Sequence, residues 1–290
     1  MMKLKSLLAI TLLVLLIFLS ACHRPAPAPD NKLTVAVSIV PQATFVEEVA
    51  GDLVEVITMI PPGGSPETYS PTPRQLEAFT RASAYFSIGV PSEVSNILPR
   101  AKDLNRDLEI IDLAKDVSES YPDIEIAPGE RDPHIWLSPK RVKVMVERIA
   151  DELSDLDPAN KDVYNENALK YKERLDDVDK RIAESLDGLE TKTFIAYHPA
   201  FGYFAHDYGL RMLALEEEGK EATPQTFKDI IDIAKEMKIE VIFYQAEVDS
   251  RQSEAFAKEI GGRTEQIAPL APDYIENLER MADTFSKVLR

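Results

Sequence analysis

The sequence predicts an α/β fold in which two βαβ-type lobes are bridged by one long helix. Short apolar runs alternate with helical patterns early in the chain and again near its end. Strands separated by helices are typical of parallel sheets. A long, highly charged stretch with helical periodicity lies between these two regions. About 260 residues follow Asn31, which is more than one compact core usually holds.

Four strands are predicted in the first lobe, which we place at residues 32–157. The first strand, LTVAVSIV, is rich in β-branched residues, and the helical pattern after it stops at Gly51. A glycine- and proline-rich loop, GGSPETYSP, follows the second strand, and Thr72 begins the next helix. The predicted strands cover residues 33–40, 54–60, 84–90 and 108–113.

Two helices are predicted in the middle of the chain. The first runs from Pro139 to about Ser154. The second, at residues 158–189, keeps one apolar face that includes Leu175 and Val178. A helix of roughly 30 residues is about 45 Å long, so we expect it to cross from one lobe to the other. A helix pair packed on a single lobe is the alternative.

The second lobe, at residues 190–290, repeats the alternation of strands and helices. Thr223 and Pro224 open a helix, because threonine caps helices and proline is tolerated in the first turn. The predicted strands cover residues 193–197, 210–215 and 239–244, and the later helices cover 223–238, 250–260 and the residues from 272 onward.

Residues 1–21 have the pattern of a signal peptide. Two lysines precede an apolar run from Leu7 to Leu19, which is too short to span a bilayer. The tetrapeptide LSAC resembles the lipoprotein signal site, where Cys22 becomes the lipidated first residue; a secretory signal with an incidental cysteine is the alternative. The proline-rich residues 22–31 predict a flexible tether. We therefore expect export and a lipid anchor at the outer face of the cell membrane, or in the periplasm.

The net charge and the cysteine count limit which partners and which covalent cross-links are expected. The formal net charge is −17, or −19 without residues 1–21, which carry two lysines and no acids. Such a surface repels phosphate groups, so we expect no nucleic acid partner. Cys22 is the only cysteine, so an intrachain disulfide is excluded and the fold must rest on its core.

Two of the four histidines lie in proline-bounded segments. His134 stands in DPHIWLSP, where Asp132 is close enough in sequence to orient its imidazole. His198 ends an apolar strand and precedes Pro199, a position from which a side chain points into the cleft at the edge of a parallel sheet. Imidazole and carboxylate are the ligands that borderline divalent cations prefer, so we predict two metal ligands. Buried histidines bonded to the backbone are the alternative.

The other two histidines are expected to be solvated. His23 lies in the tether, and His206 lies near the polar end of a helix. On composition alone Glu67 would be an ordinary surface acid, although glycine- and proline-rich loops carry function more often than they bury side chains.

Five motifs together resemble one protein family. They are PxGxSPxxYxPTP around Glu67, DPHxWLSP, HPAFxYFxxxYGL, VIFYQAEVDSR, and a final Pro-Leu followed by Asp273-Tyr274. The pattern resembles the metal-ion solute-binding lipoproteins of ABC importers for zinc and manganese, the ZnuA/TroA-like group (cluster A-I), over essentially the whole mature chain. The resemblance implies two α/β lobes bridged by one long helix, with the metal held between the lobes.

The resemblance also implies a ligand set. His134 and His198 match family ligand positions, and Glu67 stands where the family usually has a histidine. Glutamate can still bind a metal but hardens the site, so manganese or iron(II) would suit it as well as zinc. Asp273 lies about one residue out of register with the aspartate that completes the shell in manganese-type members. The alternatives for this fourth position are Glu247, Asp249 or water.

The function that the resemblance implies is capture and delivery. A monomer would bind a divalent metal ion, zinc first, and pass it to the permease of an ABC importer without acting as an enzyme. A secreted metal-dependent hydrolase and a surface adhesin of the same fold are the alternatives. The sequence contains neither an HExxH helix nor a serine or cysteine nucleophile motif, which argues against the hydrolase.

Overall fold

The computed structural model describes residues 32–217, 220–247 and 251–290. The predicted signal peptide, Cys22 and the tether lie outside these described residues. Residues 33–290 form one compact unit. Among the helices that the structure describes, none is long and apolar enough to cross a membrane.

A first parallel sheet contains the four strands predicted early in the chain. Its strands are β1 (Leu33–Val37), β2 (Val54–Thr58), β3 (Ala84–Ser87) and β4 (Glu109–Asp112). Its helices are α1 (Val40–Ala50), α2 (Pro73–Phe79), α3 (Leu98–Leu104) and α4 (Leu113–Ser120). The strand order is β2-β1-β3-β4, and every pair is parallel. All four residues of β3 are buried, as expected for a central strand covered on both faces.

The middle of the chain holds a short antiparallel hairpin and two long helices. They are β5 (Glu125–Ala127), β6 (Glu130–Arg131), α5 (Pro139–Leu156) and α6 (Lys161–Ser185). The 25 residues of α6 span about 37 Å, less than predicted, because a 3₁₀ turn occupies 158–160 and the helix ends before Gly188. It packs against α1 and α5.

A second parallel sheet repeats the topology of the first. Its strands are β7 (Thr193–Ala196), β8 (Arg211–Ala214), β11 (Val241–Tyr244) and β12 (Arg263–Gln266). A hairpin of β9 (Glu216–Glu217) and β10 (Lys220–Glu221) and four helices accompany it: α7 (Gly202–Asp207), α8 (Pro224–Glu236), α9 (Arg251–Ile260) and α10 (Tyr274–Leu289). The order is β12-β11-β7-β8. Numbered from its own first strand, each sheet therefore has the order 2-1-3-4.

One continuous hydrophobic core runs through both lobes. It includes Val35 of β1, Leu175 of α6, and Phe194 and Phe285 of the second lobe. The ring of Phe285 on α10 lies 4.7 Å from that of Phe194 and 4.6 Å from that of Phe243. Because α6 also packs against α10, it contacts helices of both lobes, and the prediction of a bridging helix is confirmed. The lobe boundaries themselves stay a prediction.

Polar contacts also join the two lobes. Asp207 of α7 accepts hydrogen bonds from Ser138 and Arg141, and Lys140 lies 2.6 Å from the same carboxylate. The indole of Trp136 donates to the carbonyl of Pro269 at 2.9 Å. These contacts place the segment that carries His134 directly against the second lobe.

Candidate metal centre

The candidate centre lies where the carboxyl ends of the two sheets face each other. Glu67 is in the loop after β2, and His134 directly precedes the 3₁₀ turn at Ile135–Leu137. His198 follows β7 by two residues. All three side chains line one cavity of about 780 Å³. The carboxyl edge of a parallel sheet is the usual place for a ligand in this class of fold, because loops rather than strands fill it.

The ligand atoms of these three residues converge. His134 Nε2 lies 3.2 Å from His198 Nε2, and Glu67 Oε1 lies 3.9 Å and 3.4 Å from the two nitrogens. Ligands about 2.0–2.2 Å from a tetrahedral zinc ion are about 3.3 Å apart. The observed separations therefore fit one small cation. Among the described residues, this is the group of ligand atoms that gathers within 4.8 Å.

Each imidazole is fixed by a carboxylate on its other nitrogen. Asp132 Oδ1 lies 2.7 Å from His134 Nδ1 and also accepts the backbone N–H of His134 at 2.9 Å. Glu216 Oε2 lies 2.7 Å from His198 Nδ1. A carboxylate at Nδ1 holds the proton there and aims Nε2 at the metal. Both histidines are 5% exposed, so water competes little for these contacts.

The loop that carries Glu67 is held by its own packing. A methyl group on Gly64 would lie 3.0 Å from the Tyr69 ring and 3.1 Å from the Pro61 carbonyl, so a larger residue there would require these neighbours to shift. The backbone N–H of Tyr69 donates to the carbonyl of Ser65, and that of Glu67 donates to the Ser65 hydroxyl. These turns explain why a loop side chain occupies a defined position in the cavity.

The charges of the three residues are coupled. Burial lowers the pKa of His198, but the hydrogen bonds and negative charges of Glu216 and Glu67 outweigh it and raise that pKa to about 9. Burial raises the pKa of Glu67, but the hydrogen bond and charge of His198 and the charge of His134 outweigh it, so the pKa is lowered. Glu67 is therefore ionised at neutral pH and ready to act as an oxygen ligand.

Comparison with known proteins assigns the family. A family model described as "ZnuA: Zinc-uptake complex component A periplasmic" matches residues 35–288, nearly the whole described chain. The chain belongs to the ZnuA family. Its membership agrees with the paired sheets, the bridging helix and the two buried histidines described above.

The names of the relatives specify different metals. The chain is 30% identical over 289 residues to the zinc-binding lipoprotein AdcA of Streptococcus pneumoniae (strain ATCC BAA-255 / R6), covering 93% of this chain and 56% of AdcA. It is 28% identical over 262 residues to the manganese ABC transporter substrate-binding lipoprotein PsaA of Streptococcus mitis, covering 87% and 84%. The chain thus spans little more than half the length of AdcA.

A solved ZnuA structure has the same fold. It superimposes with a TM-score of 0.84 at 36% identity, and the match covers 89% of this chain and all of that one. The predicted fold class, two α/β lobes bridged by a long helix, is therefore confirmed.

The predicted site residues of this ZnuA family member divide into two groups. Glu67, His134 and His198 come together, whereas Asp273 does not join them: its half-exposed carboxylate pairs with Arg280 at 2.7 Å. Glu247 lines the cavity. Asp249 lies outside the described residues. The side chain of His206 is 63% exposed, in agreement with its exclusion.

Sequence reasoning found Asp132 but missed Glu216. Asp132 is two residues from His134, so its contact was open to a local argument. Glu216 is 18 residues from His198 and becomes its neighbour because β7 and β8 pair side by side. A glutamate directly after a predicted strand next to β7 was the available signal.

Proposed function

We propose that this protein is an extracytoplasmic solute-binding protein that captures a divalent metal ion and delivers it to the permease of an ABC importer. The observation that carries the proposal is the convergence of two buried imidazole Nε2 atoms and the Glu67 carboxylate within 4.8 Å. The metal is the cargo. Family membership and the names of AdcA and PsaA support this role.

We assign Glu67, His134 and His198 as ligands of the cargo ion. Two nitrogen donors suit zinc, and the glutamate oxygen also admits manganese or iron(II). Zinc comes first because both the family description and AdcA name it. Transfer to a permease requires that the ion be released unchanged, so the protein carries its ion rather than using it for catalysis. The names of these relatives give no support to the hydrolase alternative. Adhesion stays an alternative, because solved laminin-binding proteins of Streptococcus agalactiae and Streptococcus pyogenes resemble this chain at 26% and 25% identity.

Delivery requires that the protein stay near the membrane outside the cell. The predicted signal peptide and lipid anchor on Cys22 would hold it at the outer face, and the names of AdcA and PsaA include the word lipoprotein. The chain would then act as a tethered monomer that meets its permease by diffusion around the anchor.

The decisive test is metal-dependent stabilisation of a double variant. Wild-type protein freed of metal by chelation should show a higher Tm after addition of zinc, because an ion that binds only the folded state stabilises it. His134→Ala combined with His198→Ala should abolish that shift. The matched control is His206→Ala, which removes an exposed histidine outside the cluster. A zinc-dependent rise in Tm as large in the double variant as in wild-type protein would refute the assignment of these two histidines as ligands.

A further inference from the structure

One carboxylate in the cavity is not used by the three-residue cluster. Glu247 follows β11 by three residues, and β11 pairs with β7, the strand that leads to His198. The backbone N–H of Tyr197 donates to the carbonyl of Phe243, so these two strand ends lie side by side. Glu247 accordingly lines the same cavity as Glu67, His134 and His198.

The Glu247 carboxylate differs from the other acids of the cavity. Glu67 contacts both histidines, Glu216 contacts His198, and Glu130 is exposed to solvent. Glu247 Oε2 is buried, and no hydrogen-bond partner for it occurs among the described residues. A buried, unpaired carboxylate oxygen is costly, and native structures normally match such an atom with a donor or a cation. Burial also raises the pKa of Glu247.

The negative charge of Asp273, the competing candidate for a fourth ligand, is already balanced by an arginine. Asp273 stands at the start of α10, and its Oδ2 lies 2.7 Å from Nη2 of Arg280. Its side chain is 48% exposed and is absent from the lining of the cavity. A solvated aspartate with an arginine partner has no need of a metal ion, whereas Glu247 has a buried oxygen and, within the described part of the chain, no arginine beside it.

We propose that Glu247 is the fourth ligand of the cargo ion, so that the filled site contains two imidazoles and two carboxylates. The inference rests on the proposed function. In the described conformation Glu247 lies outside the group of ligand atoms within 4.8 Å. Rotation about the side-chain torsions of a glutamate moves its carboxylate by several ångströms between staggered rotamers, so binding requires a new rotamer of Glu247.

A second carboxylate changes which ions the site prefers. Two carboxylates and two neutral imidazoles balance the charge of a divalent cation, which offsets the cost of burying it. Hard oxygen donors suit manganese and iron(II) better than nitrogen donors do, while zinc accepts either type. Loss of Glu247 should therefore weaken manganese binding more than zinc binding.

The first test compares affinities for zinc and manganese alone, measured by competition with a chelator. Glu247→Gln keeps the size of the side chain and removes its charge, and it should weaken zinc binding by about tenfold or more and manganese binding further. The control is Asp273→Asn, which removes one carboxylate outside the cavity and should leave both affinities within about threefold. Wild-type affinity for both ions in Glu247→Gln would overturn the inference while leaving the proposed function intact.

The second test separates a ligand from a charge that acts at a distance. Glu247→His replaces the oxygen donor by an imidazole, so it should raise the ratio of zinc to manganese affinity. X-ray absorption at the zinc edge should then count three bound imidazoles instead of two. Two imidazoles in both proteins would show that position 247 does not touch the metal. Absence of any metal binding by wild-type protein would instead refute the proposed function itself.

Discussion

The two buried histidines are each held by a carboxylate on the ring nitrogen that faces away from the proposed metal position. Asp132 and Glu216 each contact an Nδ1 atom at 2.7 Å, which leaves Nε2 of His134 and His198 for the ion. In the metal-free state the same acidic surroundings oppose metal binding by His198. Several acids surround His198, and they stabilise its protonated form, which cannot bind a metal. The proton on Nε2 must therefore leave as the ion enters.

The raised pKa of His198 predicts the pH dependence of the metal-free protein. The ordinary pKa is 6.5 and the folded value is about 9, so the charged imidazole contributes stability that is fully present below pH 6.5. That contribution is lost as the pH rises through 9, at no more than about 1.4 kcal/mol per pH unit. Glu216→Gln should flatten this decline, because it removes one of the charges that raise the pKa. Urea unfolding in the presence of a chelator, at several values between pH 6.5 and 9, measures the effect.

The control for this prediction is Glu240→Gln. Glu240 is exposed and lies at the opposite, amino end of the second sheet, next to the start of β11. Its loss changes the net charge by the same amount as Glu216→Gln. Wild-type protein and the control should therefore lose stability in parallel over this pH range. An equally steep decline in Glu216→Gln would contradict the role given to Glu216.

At the scale of elements, a strand could be predicted from the sequence where its residues are mainly apolar. β1, β3, β7 and β11 are central strands with apolar residues, and each was predicted from its composition. β12 was missed because its sequence, RTEQ, is polar; it forms an edge of the sheet, where its residues are exposed or only partly buried. The short hairpins β5–β6 and β9–β10 were missed as well. Their pairing depends on turns and on neighbours distant in sequence, which local periodicity does not report.

The same limit applies to the metal centre. His134 and His198 were predicted because proline and strand boundaries mark their positions in the sequence. The contact between His198 and Glu216 was not predicted, because it follows from the register of β7 against β8. The pairing of Asp273 with Arg280, seven residues further along the chain, was not predicted either. Contacts within one segment could be predicted from the sequence, whereas contacts between distant segments could be found only in the folded structure.

The start of α7 is a place where one element controls the metal centre. A methyl group on Gly202 would lie 2.3 Å from Asp132 Oδ2, far closer than atoms pack. Gly202→Ala should therefore push Asp132 away from His134, with a loss of stability of about 1–3 kcal/mol. Because the His134 imidazole would lose its fixed orientation, metal affinity should fall by about 10- to 100-fold. Thermal unfolding and chelator competition measure the two effects.

Gly209→Ala provides the matched control just beyond the other end of α7. Gly209 has a φ of 67°, and nothing lies within 4 Å of an added methyl group. The substitution should cost about 1 kcal/mol through backbone strain and leave the metal affinity unchanged. If Gly202→Ala also left metal affinity at the wild-type value, the coupling of α7 to His134 through Asp132 would be wrong.

At the scale of the whole molecule, the two lobes are joined by more than the bridging helix. They share one hydrophobic core, and α6 packs against helices of both. Asp207, on the second lobe, accepts hydrogen bonds from Ser138 and Arg141 just after the segment that carries His134. In the proposed site, a metal ion would therefore bind to a framework that is already assembled. We expect ligand side chains to move more than lobes do when the ion binds.

The Asp207 contacts give the last prediction. Arg141 is 2% exposed, and its guanidinium lies 3.0 Å from Asp207 Oδ1 and over the ring of Tyr203. Asp207→Asn keeps the shape but leaves a buried cation without its counter-charge, so the free energy of unfolding should fall by about 3–5 kcal/mol. The rise in Tm caused by zinc should persist, because no ligand is changed. The control is Asp176→Asn, which removes an exposed carboxylate paired with Lys143. Loss of stability in Asp207→Asn no greater than that in this control would show that the buried ion pair does not hold the lobes together.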